Sequence, residues 1–554
     1  MLGNILPRRK GIKEMAASAV HPVLPFYHRD KLTPRAQRRL TIAFFIASFV
    51  FGFFFAILPN ESKAMLTVPL FVMAAFILWL LPETGRAPTR FLTAMFFSYF
   101  IALILWPYYL AFQIPGMPLI EIRRAFLFLA ILGLLISLSV SSAFKQHMKD
   151  LVETWPTFFK MLIAFVVVQA LSLVATPYPN EAIMAFLRIQ LACTAIFFIT
   201  IYVMSQPGRI LVFANLIRFV AVALSVMAIF EYRNQGLLWA GHITTFLQVS
   251  DPAMINLPDS TFRAGDYRVT TTFSVSLCLA EFLALTLPFF LQYLVTGRNR
   301  LFKVILVICD LLVMNAILLT QARVGIVGIA VTHGIYGFIL ALRFWRAHKE
   351  SLLGPAALLM YPVGMAVFAV AAFTVPRLRV MWLGNGVQAA STQGRLEQAA
   401  EFPGKFIARP LFGYGPSQGG RVLGYTNPAG EVSIDSGLLA IPLNYGAVGA
   451  VLYFGMFIYL FVQGMKLSAD AKGQEDSYAM PVAVTMIFWL ISRIVIAQED
   501  NASFMYMLMG TLIALAYRHS RQSSASAGME SNVASGSEDL RPRGGFHVPG
   551  FARS

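Results

Sequence analysis

Charge is what this 554-residue chain has least of. Only 13% of its residues are Asp, Glu, Lys or Arg, while 57% are hydrophobic. Soluble domains carry about twice that charged fraction, so a soluble globular protein is excluded. Cysteine is almost as scarce. Cys193, Cys278 and Cys309 all fall within apolar runs and read as small core residues, which argues against a disulfide framework or a cysteine metal centre. The N-terminus lacks the short charged–apolar–small pattern of a cleaved leader, so the first apolar run is expected to be retained. No sequence repeat of the kind many secondary transporters carry is visible. The formal charge of +17 comes without a nucleic-acid-binding motif, and no nucleic-acid partner is expected.

Long apolar runs are present in their place. They recur near the roughly twenty residues needed to span a bilayer as a helix. They lie near 40–58, 64–82, 91–111, 124–141, 157–175, 186–204, 210–230, 270–296, 301–320, 323–342, 352–376, 437–464, 479–496 and 502–517. The expectation is an all-α polytopic bundle of about fourteen spans occupying 40–517, since barrel strands would be half as long and alternating. Residues 1–39 carry Arg8, Arg9, Lys10, Lys13, Arg29, Lys31, Arg35, Arg38 and Arg39, so this segment should stay in the cytoplasm, where it can lie against anionic lipids. An even number of spans puts the C-terminus inside too, and puts the long loops 231–269 and 377–436 outside. Arg123-Arg124 is the one basic pair that fits this polarity poorly. The Ser-, Gly- and Ala-rich tail 518–554 is expected to be disordered.

The polar residues sort by position. Glu281, Asp310, Arg218 and Arg493 fall inside spans, where ionisable groups are costly and must find partners. They either pair with one another or with backbone carbonyls to fix packing, or they line a gated path in a transporter. The outer face offers a different set. Arg323, in Thr320-Gln321-Ala322-Arg323, lies in the turn between two spans; Arg395 lies in the loop 377–436; Asp435 closes that loop; Arg268 closes the other long loop. A loop this long on a membrane protein is usually functional. Arginine suits a diphosphate because its planar fork donates two parallel hydrogen bonds and stays charged. Each arginine alone also reads as an interfacial anchor, and Asp435 also reads as a helix N-cap. Pro403-Gly404 is expected to break a partly helical loop and let it close.

Several of these pieces occur in an order that resembles a known family. Arg268-Val269-Thr270-Thr271-Thr272-Phe273, the Thr320–Arg323 turn, Gly394-Arg395, Arg409-Pro410-Leu411-Phe412-Gly413-Tyr414-Gly415 and Asp435-Ser436-Gly437-Leu438-Leu439 are similar to segments of the O-antigen ligase and polysaccharide polymerase superfamily. The resemblance covers the C-terminal half. It implies a multi-pass protein of the bacterial inner membrane with cytoplasmic termini. Its reaction would be an inverting, metal- and cofactor-independent glycosyl transfer on the periplasmic face from an undecaprenyl-diphosphate-linked glycan. It further implies that Arg323, Arg395 and Arg268 hold the diphosphate, that Asp435 orients or deprotonates the acceptor, and that Arg409, Gly413 and Gly415 support the loop. A chain-length regulator is a candidate partner. Family ligases carry His-Asn where this chain has Asp435-Ser436, which tilts the expectation towards polymerase, with ligase second and a lipid-linked-glycan transporter third.

Overall fold

The computed structural model describes residues 85–374 and 389–538, apart from 108–109, 114–118, 244–245, 250–261, 264–265, 427–431 and single positions, with a few further residues between 38 and 83. The expected spans 40–58 and 64–82, nearly all of 1–39 and all of 539–554 therefore lie outside the described residues. The chain divides into two compact units, one formed by Met1–Thr89 with Gly133–His147 and the other by Arg90–Leu132 with Met148–Ser554. In the first, the Gly85 N–H donates to the Val140 carbonyl at 3.2 Å, and Lys145 pairs with Glu83 at 3.5 Å. Every candidate outer-face residue belongs to the second.

The second unit is a bundle of apolar helices. Among the described residues seven helices are long and apolar enough to cross a membrane, or eight if the bent pair Ser142–Val152 and Pro156–Ser172, meeting at 98°, forms one span. Thr89–Leu105 and Asp476–Ser492 are apolar but shorter, so the expected count of about fourteen is not reached. Helix Ser276–Thr296 is the most enclosed, with 78% of its central window buried against at most half in the other spans, so the bundle is built around it. Gly328, on helix Arg323–Ala347, makes a close crossing possible there: a Cβ at that position would strike Ala284 and Phe488.

The intramembrane charges are engaged in packing. Glu281 is fully buried, pairs with Arg493, and accepts hydrogen bonds from Ser492 and, at 2.9 Å, from Asn501. Arg218 donates to the Phe289 carbonyl at 2.9 Å and the Tyr478 hydroxyl at 3.1 Å, and Asp310 meets His333 at 3.2 Å. Arg123-Arg124, awkward at an outer helix end, is neutralised locally: both pair with Glu121, at 3.1 and 2.9 Å.

Three features depart from the sequence reading. Two short antiparallel pairs interrupt the all-α pattern, Leu110–Phe112 with Leu247–Val249 and Phe262–Arg263 with Asp266–Tyr267. Strands of two or three residues are too short to leave a periodic signal. Helix Ala389–Ala408 runs unbroken through Pro403, contrary to the expected break. The last helix, Ala502–Glu538, passes well beyond Arg518 into the segment expected to be disordered. Its Arg, Gln, Ala, Met and Glu residues are good helix formers, and the preceding apolar span supplies the nucleus that an isolated helix lacks.

Candidate functional site

The four outer-face residues singled out by the sequence come together through one continuous set of contacts. It begins below Arg268. Glu231, buried in the last turn of helix Arg209–Asn234, accepts from the Thr270 N–H at 2.9 Å, the Thr271 N–H at 2.8 Å and the Tyr267 hydroxyl at 3.0 Å. These bonds clamp the segment that carries Arg268, just after strand Asp266–Tyr267. Burial of a carboxylate is tolerable only with such a set of donors, so the clamp is rigid. The Arg268 Nε then donates to the Thr320 carbonyl at 3.1 Å, and the Val269 N–H reaches the Leu319 carbonyl at 3.5 Å.

The Thr320 turn is locally constrained. The Thr320 hydroxyl accepts from the Ala322 N–H at 3.2 Å, and Gln321 takes a positive φ of 51°. Arg323 is thereby placed at the first position of helix Arg323–Ala347. Its Nη1 donates to the Thr392 hydroxyl at 3.3 Å, which ties the turn to helix Ala389–Ala408. Arg395 lies three residues further along that helix, one turn on and on the same face. Its Nε is 3.9 Å from Asp435 Oδ2, an ion pair too long to be a hydrogen bond. One more turn along, the wholly buried Gln398 accepts the Asp435 N–H at 3.0 Å.

Asp435 is not a helix cap. The N-cap of helix Gly437–Ala469 is Ser436, without a side-chain capping bond, and Asp435 precedes it with its carboxylate turned to Arg395. The start of this helix is instead fixed by the turn after helix Ala479–Ser492. The Gly437 N–H donates to the Ile496 carbonyl at 3.2 Å, and the Leu438 N–H to the Arg493 carbonyl at 2.9 Å.

The Arg409–Gly415 segment has a different task. Helix Gly437–Ala469 is broken at Gly446, whose φ of 69° and ψ of −174° suit only glycine. The break frees backbone groups, and the loop segment takes them up. The Tyr414 N–H donates to the Leu443 carbonyl at 2.8 Å, the Gly415 N–H to the Asn444 carbonyl at 3.0 Å, and the Ala447 N–H to the Pro410 carbonyl at 2.7 Å. A Cβ on Gly413 would strike the Leu443 and Asn444 carbonyls, and one on Gly446 the Leu411 carbonyl. Arg409 lies over the Tyr414 ring at 4.8 Å. Gly413 and Gly415 thus seat the loop against the helix that Asp435 leads into.

Sequence reasoning missed Glu231, Gln398 and Thr392. Glu231 had a weak signal as a carboxylate at the outer end of an apolar run; the other two had none, because their relevance depends on partners far away in the chain. The arrangement links three arginines and one carboxylate by successive contacts, with Arg395 directly beside the acid. Such a set can hold a diphosphate and orient a hydroxyl next to it. Among the described residues no group of three or more His, Cys, Asp or Glu side chains has metal-binding geometry.

No curated protein matches the sequence significantly. A family model described as O-antigen ligase does match, over residues 282–454, a stretch that includes Arg323, Arg395, the Arg409–Gly415 segment and Asp435. Residues 282–454 of this multi-pass membrane protein are thus similar to the O-antigen ligase family.

Proposed function

We propose that the protein transfers a glycan from an undecaprenyl diphosphate carrier to a sugar hydroxyl at the outer face of the inner membrane, lengthening a surface polysaccharide. The observation that carries this reading is the run of contacts Arg268–Thr320, Arg323–Thr392 and Arg395–Asp435, which links the turns and helices that bear the arginines and the acid. Arg323 and Arg395, with Arg268 assisting, hold the donor diphosphate and neutralise the charge that grows on it as the glycosidic bond to C1 breaks. No metal is needed when guanidinium groups supply that charge. Asp435 orients the acceptor hydroxyl for attack from the opposite face of the sugar, which inverts the anomeric centre.

The matched family model favours a second reading, ligation of finished glycan onto a lipid A-core acceptor. Transport of the lipid-linked glycan is less well supported, because Glu281, Arg493, Arg218 and Asp310 are engaged in packing contacts. Purified protein incubated with an undecaprenyl-diphosphate repeat unit from its host separates the readings. A glycan ladder formed without lipid A-core identifies a polymerase; product only when lipid A-core is added identifies a ligase. Arg323→Ala and Arg395→Ala should each lose activity at normal membrane levels. Retention of activity by both would overturn the mechanism.

A further inference from the structure

A carboxylate outside the matched domain shares a recess with the start of the helix that Asp435 leads into. Glu499 lies in the turn 493–501, the same turn whose Arg493 and Ile496 carbonyls receive the N–H groups of Leu438 and Gly437. Glu499 and Gly437, two residues past Asp435, line one recess of about 60 Å³, room for a few waters. Two helices are distorted around this recess. One is Gly437–Ala469, which supplies Asn444 and Tyr445 just before its break at Gly446. The other carries a π-helical turn at Gln190–Ala195, from which Cys193 reaches the recess. π-turns and broken helices both cost backbone hydrogen bonding and concentrate at functional sites. A merely structural turn gives no reason for two of them to meet at an acid.

We infer that Glu499 is the general base of the transfer, and that Asp435 is the residue that orients the acceptor. This rests on the glycosyl-transfer reading above. As the acceptor oxygen bonds to C1 of the donor sugar, its O–H proton passes to Glu499. The C1–oxygen bond to phosphate breaks, and undecaprenyl diphosphate leaves with the electron pair on the arginine side of the site. Glu499 later returns the proton to water, which restores the carboxylate.

The surroundings suit the role. The Glu499 side chain is solvent-accessible, yet the protein crowded around it raises its carboxyl above the ordinary range, against the pull of Arg493 and Arg188 and with Asp500 adding to the rise. Tyr445, Tyr453, Tyr506 and Cys193 line the same recess. A carboxylate with a raised pKa is a stronger base. It works only when deprotonated, so activity is full above its pKa and falls as pH drops through it.

The test is the pH profile of glycan transfer by the full-length wild type, Glu499→Gln and Asp435→Asn, with binding of the undecaprenyl-diphosphate glycan measured in parallel. Wild type should show an acid limb. Glu499→Gln should lower the rate by about 10²–10⁴-fold, as loss of a general base does, abolish the limb and leave donor binding unchanged. Glu499→Asp should recover part of the rate and restore the limb. Asp435→Asn should raise KM for the acceptor and keep the limb. A wild type without an acid limb, or a Glu499→Gln protein that keeps both limb and rate, overturns the inference, and the wild-type profile decides even if a variant does not fold. The transfer reading itself fails separately, if Arg323→Ala and Arg395→Ala both remain active.

Discussion

Glu231 never approaches the substrate in the proposed mechanism, yet three donors converge on its buried carboxylate, and the strand they hold leads directly into Arg268. Replacing one carboxylate oxygen with an amide NH2 turns an acceptor into a donor that faces a backbone N–H. Glu231→Gln should therefore destabilise the fold by about 1–3 kcal/mol, the cost of a buried group left unsatisfied. It should also raise KM for the donor by loosening Arg268. Tyr267→Phe removes only one of the three bonds and should cost about 1 kcal/mol. Thermal unfolding in detergent and donor titration check both, and a Glu231→Gln protein no less stable than Tyr267→Phe would refute the clamp. Glu281 is a sharper case of the same principle. Glu281→Leu leaves Arg493 buried without its carboxylate and should cost about 3–5 kcal/mol, read as a large fall in the unfolding midpoint.

At the scale of elements, the loop segment 409–415 and the break at Gly446 make one device. The helix gives up its own bonds at Leu443 and Asn444, and the loop replaces them with Tyr414, Gly415 and Pro410. Gly446→Ala would force a side chain into a glycine-only backbone region, at about 1–3 kcal/mol, before the overlap with Leu411 is counted. It should lower the unfolding midpoint and abolish transfer, whereas Gly334→Ala, with open space around its Cβ, should change neither. The helices themselves were legible because apolar runs of spanning length have few alternatives. The Arg-Pro-Leu-Phe-Gly-Tyr-Gly string was legible as a pattern, but its purpose was not, since its partners lie some thirty residues further along. The residue types of the candidate site could be read from the outer-loop arginines and Asp435. Gln398, Thr392 and Glu231 could not, because nothing local distinguishes a glutamine or threonine that meets a distant charged residue from one that meets water. Pro403 misled for a related reason: proline within a helix costs one hydrogen bond, which tertiary packing can offset.

A membrane orientation for the candidate site is predicted by the same contacts without any count of the N-terminal spans. Helices Arg209–Asn234 and Arg300–Leu319 arrive at the site through Glu231 and Thr320, while Ser276–Thr296, Arg323–Ala347 and Gly437–Ala469 leave from it. Their other ends, one span away, carry Arg298, Arg300, Arg343, Arg346, Lys349, Lys466 and Lys472 in the short connections or in the helix ends beside them. The short turns at the site end, 320–322 and 493–501, are flanked by Arg323 and Arg493 alone, and acids do not count in this rule. Basic short connections favour the cytoplasm, so the site is predicted to face the periplasm. Single cysteines at Ala400 and Lys349, both exposed, test this directly in intact cells, with the native protein as the blank. A membrane-impermeant maleimide should label Ala400→Cys without permeabilisation and Lys349→Cys only after it. The reverse pattern would put the arginines and Asp435 inside, and a periplasmic transferase would no longer be a tenable reading of this molecule.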